Sequence, residues 1–96
     1  MKVEYHPQAR VELFEAIDIA EDEFGTGEDL RQTIESAENL IETFPRIGDL
    51  EEESIRRYVI SDYPFSIIYG LRESKLVVLA IMHDKREPGY WKDRKY

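Results

Sequence analysis

The chain has 96 residues, enough for one domain around a single hydrophobic core and too few for two. Its apolar fraction of 42% is that of a soluble globular protein, and the lack of cysteine excludes disulfides, thiolate metal sites and a cysteine nucleophile. The net charge of −8 argues against nucleic acid as a partner of the whole surface. That charge is unevenly spread: residues 1–54 carry 4 Lys and Arg against 16 Asp and Glu, and residues 55–96 carry 9 against 5. The C-terminal half could therefore face an anionic or acidic partner, unless the asymmetry is only a solvated acidic helical surface beside an ordinary sheet. No stretch looks like a signal peptide, and the longest apolar run, Leu76 to Met82, is too short to span a membrane. A soluble cytosolic protein with one domain over residues 1–96 is expected.

Lys2 to Tyr5 alternates polar and apolar residues and predicts a short strand. His6-Pro7 suits the start of a helix, where the missing proline N–H costs nothing. Leu13, Ile17, Ala20 and Phe24 then recur on one helical face, and Gly25 supplies a left-handed stop. Thr26 reads as the cap of a second helix with acid in its first turn. Its apolar stripe is Leu30, Ile34, Ala37, Ile41 and Phe44, and Pro45 and Gly48 end it. So short a link makes the two helices an antiparallel hairpin.

Asp49 to Glu53 reads as an acidic loop. Beyond it the period changes to two: Ile55–Ile60, Pro64–Leu71 and Lys75–His83 predict three strands. Their connectors, Ser61-Asp-Tyr-Pro64 and Arg72-Glu-Ser74, are short enough for antiparallel hairpins. The expected fold class is α+β, in the order β-α-α-β-β-β, with the helical hairpin on one face of a mainly antiparallel sheet.

Chemistry-bearing residues gather after the last strand. His83 could act as a general base, or its ring could satisfy backbone at a strand end. The only other histidine is His6, and no spacing resembles a metal-ligand set, so no metal is expected. Alternation sends Arg56 and Arg57 to opposite faces, so the one on the open face could join Lys85, Arg86 and Arg94 in a cationic patch; alternatively, one pairs with acid from the helices while the other is solvated. Tyr90 and Trp91 could anchor a partner, or Trp91 could fold back onto the core. No phosphate-binding glycine loop or paired-carboxylate signature is present.

Several stretches match a known pattern in order and spacing. They are Tyr5-His-Pro-Gln-Ala9, Phe24-Gly25, Phe44-Pro45, Ile55-Arg-Arg57, Tyr63-Pro-Phe-Ser-Ile-Ile-Tyr69, and Val77 to His83 with Arg86, Pro88, Gly89 and Trp91 beyond. Together they resemble the RelE/ParE superfamily, the toxin half of type II toxin–antitoxin modules, whose members include plasmid stabilisation proteins. The resemblance implies the β-α-α-β-β-β fold, no cofactor, and a cognate antitoxin from a neighbouring gene, in a homodimer or a toxin–antitoxin heterotetramer. RelE-like members cut messenger RNA in the ribosomal A site; here Arg57, His83, Arg86 and Tyr90 are the positions that could match such a set. ParE-like members poison DNA gyrase. For either target or for the antitoxin, Arg56, Lys85, Trp91 and Arg94 are the candidate contacts. The acidic balance, the lack of a lysine-rich strand and the Ala80-Ile-Met-His83…Arg86 strand end favour the ParE-like side. An RNase of RelE type and a non-toxic binding module keeping the fold stay open.

Overall fold

The computed structural model describes residues 2–95. Its elements are β1 (Lys2–Tyr5), α1 (Pro7–Phe24), α2 (Gly27–Thr43), β2 (Asp49–Glu52), β3 (Ile55–Val59), β4 (Phe65–Arg72) and β5 (Lys75–His83). They build one sheet in the order β1-β5-β4-β3-β2, antiparallel except where β1 runs parallel to β5. The expected α+β architecture is present with one strand more than predicted. Asp49–Glu52, read as a loop, pairs with β3 as an exposed edge strand. Its acids hid it from a search for apolar alternation, and charge on an edge is what blocks further pairing.

Pro7 opens α1 and Gly25 closes it at φ 68°. The buried stripe of α1 is Ala9, Ala16 and Ala20; Leu13 and Ile17 are half-buried and Phe24 is exposed, so the predicted stripe is displaced around the helix. Small alanines let α1 lie close against the sheet. In α2 the buried set is Gly27, Leu30, Ile34, Ala37 and Ile41, whereas Phe44 is left exposed beyond the last turn. Thr26 makes no side-chain cap: its hydroxyl donates to the Ala20 carbonyl, and the Glu21 carboxylate accepts from Gly27 N–H instead, at 3.1 Å. Gly27 carries no side chain because a Cβ there would lie 3.0 Å from the Ile17 carbonyl oxygen.

Under the hairpin, Leu30, Ile34 and Ile41 pack on Ile67, Tyr69, Leu76, Val78 and Ile81. Ile68, Val77, Leu79, Ala80 and Met82 form a second cluster on the opposite face. The change of register between Ile68 and Tyr69 in the β4–β5 pairing leaves Leu79 as the extra residue of a bulge, so Leu79 and Ala80 both belong to the second cluster. The bulge also re-aims the free edge of β5 beyond the point where β1 ends. That edge is where the C-terminal tail attaches.

Candidate functional site at the C-terminal rim

β1 pairs with β5 only through Val78, and His6 N–H then donates to the Val78 carbonyl as the chain turns into α1. Past that point the edge of β5 exposes a carbonyl at Leu79 and an N–H at Ile81. Both find side-chain partners: Arg94 Nη1 donates to Leu79 O at 2.8 Å, and Ile81 N–H donates to Glu12 Oε1 at 3.1 Å. Glu12 and Arg94 also pair with each other in fork geometry, at 2.8 and 2.9 Å. One carboxylate–guanidinium pair thus completes a sheet edge that no strand covers.

The tail reaches this position through short turns. Arg86 N–H donates to His83 O, Tyr90 N–H to Glu87 O, Lys92 N–H to Gly89 O and Arg94 N–H to Trp91 O. Gly89 sits at φ 78°, a conformation that side chains disfavour, and so allows the bend. Tyr90 then donates its hydroxyl to Glu12 Oε2 at 2.8 Å, with Arg86 over one part of its ring at 3.8 Å and Arg94 at 5.0 Å. Burial, and next the hydrogen bond to Glu12, push the Tyr90 phenol up, so it keeps its proton at neutral pH. The bonds to Glu12 hold the Arg94 guanidinium firmly charged. Trp91 is 3% exposed and belongs to the second cluster, with Ile68, Val77, Leu79, Ala80 and Met82.

His83 lies on the helix side of the sheet, with its ring edge-on to Phe65 at 5.1 Å. Its Nδ1 accepts from Lys85 N–H at 3.0 Å, which leaves Nε2 to carry the proton of the neutral ring. Together with Arg86 it borders a furrow of about 230 Å³ between α1 and the strand ends, floored by Ala16, Phe65 and Ile81.

Arg57 lies elsewhere. It pairs across β4 with Ile68, a member of the cluster on the face away from the helices. Its Nε donates to the buried Ser66 hydroxyl at 3.0 Å, and Asp84 and Glu51 stand 3.6 and 3.9 Å from its terminal nitrogens. Arg56 takes the helix side and donates to Gly48 O at 2.8 Å and Arg46 O at 3.4 Å. Arg57 is therefore the arginine of the open face, and its partner is engaged with backbone rather than helix acid. The predicted cationic patch is not assembled as a positive field: Arg86 and Arg94 share Glu12, Arg57 is flanked by acid, and Lys92 meets Glu52 at 3.4 Å. Lys85 remains exposed. Of the four candidate catalytic residues, His83 and Arg86 line one furrow, Tyr90 is tied to Glu12, and Arg57 is on the other face.

The organising residue, Glu12, was missed in the sequence. Reading the α1 stripe through Ala9, Ala16 and Ala20 places Glu12 on it, three residues after Ala9 and four before Ala16, which is the signal that could have found it. Among the described residues, no group of three or more His, Cys, Asp or Glu could hold a metal ion, and no helix is long and apolar enough to cross a membrane.

A two-helix hairpin on this mixed sheet is the architecture of the RelE/ParE superfamily, and the family match places the chain there. Residues 3–88 match the family described as ParE toxin of type II toxin-antitoxin system, parDE, and the chain belongs to that family. A solved structure, the chromosomal ParDE TA system from P. aeruginosa, superposes with a TM-score of 0.63 at 15% sequence identity, over 86% of this chain and 95% of that one. No curated protein matches the chain.

Proposed function

We propose that this chain is the toxin of a type II module, acts in the cytoplasm on DNA gyrase, and is neutralised by a cognate antitoxin whose C-terminal tail folds on it. The observation that carries the choice of target is the dispersal of the ribonuclease candidates. Cleaving RNA calls for cations on the scissile phosphate together with an acid–base pair, at one place. Here Arg57 and His83 are on opposite faces of the sheet, and Tyr90 is occupied as a donor to Glu12. A net charge of −8 adds to the barrier against a ribosomal site.

Purified protein added to a supercoiling reaction should stabilise gyrase–DNA cleavage complexes, and expression alone should cause filamentation with DNA damage. In translating extracts the A-site message should stay intact. Codon-phased cuts abolished by His83→Ala or Arg57→Ala would instead establish a RelE-type ribonuclease, and no growth effect at all would leave a binding module. The acidic hairpin further implies an antitoxin tail rich in Lys and Arg, with binding that weakens as salt rises. A strongly acidic tail with salt-insensitive affinity would remove that argument.

A further inference from the structure

A further cavity borders the β3–β4 turn, where Pro64 O accepts from Asp84 N–H at the start of the tail. It is a groove of about 710 Å³ between the α1–α2 turn and the β3–β4 turn. Its apolar wall is Phe24, Tyr63 and Pro64, and Phe24 is 73% exposed, the most open of the large apolar side chains described. Its acidic wall is Asp29 and Asp62. Tyr63 donates its hydroxyl to Asp29 Oδ2 at 2.5 Å, which clamps the β3–β4 turn to α2 and fixes the distance between the walls.

The groove continues along α2. A second hollow, lined by Ala37, Leu40, Tyr58 and Ile60, shares Thr33 and Ser61 with the first. No Lys or Arg lines either hollow, and among the described residues neither Asp29 nor Asp62 is paired with a cation. By contrast, the furrow between α1 and α2 contains Arg31, already held by Glu28 and Glu35. An exposed aromatic anchor beside carboxylates without a cation partner among the described residues has a matching chemistry: an apolar side chain flanked by cations.

We propose that this groove binds a short peptide segment of a protein partner, extended along α2, with an aliphatic or aromatic anchor against Phe24 and Tyr63 and lysine or arginine facing Asp29 and Asp62. From Asp29 to Leu40 the helix rises about 16 Å, which an extended chain covers in about five residues. The proposal does not depend on the target of the toxin.

The test is a titration of the isotopically labelled full chain, followed by amide shifts. The probe is a synthetic peptide of about that length alternating lysine with leucine or phenylalanine. Its control carries glutamate in place of each lysine. Saturable binding of the lysine peptide is expected, with shifts centred on Phe24, Ser61 and Tyr63 and an affinity that falls with salt. Asp29→Asn with Asp62→Asn should weaken it about tenfold, as should Phe24→Ala. Asparagine still accepts from Tyr63 and tolerates the positive φ of Asp62, and Phe24 is exposed, so both variant chains should melt like the parent. The proposal fails if the lysine peptide does not saturate at millimolar concentration, if the glutamate peptide binds as well, or if the shifts centre on the His83 furrow. It also fails if the groove resonances move with protein concentration alone, which would make a second copy of the chain the occupant.

Discussion

The helix side of the sheet is covered by two helices of 18 and 17 residues, the opposite side by a tail of which, among the described residues, only Trp91 is buried. The helix-side core draws on many side chains from both helices, so the loss of any one leaves the layer in place. On the tail side Trp91 is the tail's buried member of the cluster with Ile68, Leu79 and Met82, with Tyr90 and Ile55 packed at its margin, and the tail is held there by Glu12 and Arg94. The first layer is redundant and the second depends on one anchor and one ion pair. Substitutions should therefore act locally and additively on the helix side, and together on the tail side.

The largest effect belongs to the helix side. Leu30 is fully buried between α2 and the sheet. Leu30→Ala should cost about 3–5 kcal/mol, the range for removing a core leucine and leaving a cavity. Equilibrium denaturation measures it, and a loss under about 1 kcal/mol would show that α2 collapses onto the gap and that the layer is looser than the packing suggests. Truncation after Pro88 should cost about 2–4 kcal/mol, on the scale of a lost buried aromatic and its neighbours. An unchanged melting temperature with lost activity would turn the tail into a contact surface and dissolve the comparison.

Glu12→Gln should cost about 2 kcal/mol, since it keeps the shape but removes the charge from hydrogen bonds made by Arg94, Tyr90 and Ile81. Its effect should not add to that of the truncation, because both release the same tail. Additive losses would mean that Glu12 stabilises α1 by itself and does not act through the tail.

Much of this was legible in the sequence, and the omissions have physical causes. The α2 stripe from Leu30 to Ile41 was read correctly because long apolar residues at helical spacing have no other economical use. The α1 stripe was misplaced because its buried residues are alanines, which periodicity weighs less than Phe24. The edge strand Asp49–Glu52 has no apolar face to announce it. The rim was hardest: a search by residue type collects Arg57, His83, Arg86 and Tyr90 as one set, and only strand alternation and the bulge at Leu79 decide which share a face. Glu12 was invisible because a carboxylate on a helix reads as solvated until its cations, 74 and 82 residues later, are brought to it.

A second carboxylate on the helix side sharpens the contrast at the smallest scale. Glu38 on α2 is partly buried like Glu12, but among the described residues its hydrogen-bond partner is one phenol, that of Tyr5. Burial pushes its carboxyl up, Tyr5 opposes that, and Glu35 and Glu42 nearby add to it. A carboxyl that is harder to ionise when folded binds more protons in the native state, so stability falls as pH rises from its unfolded value, about 4.3, through its folded one. Glu38→Gln removes that loss and still accepts from Tyr5. The variant should be slightly more stable than the parent at neutral pH, and the difference should vanish at about pH 4. Urea midpoints at the two pH values decide it. A variant less stable at neutrality would show that the charged form is the one the fold prefers, and that Glu38, like Glu12, is held by more than its visible partner.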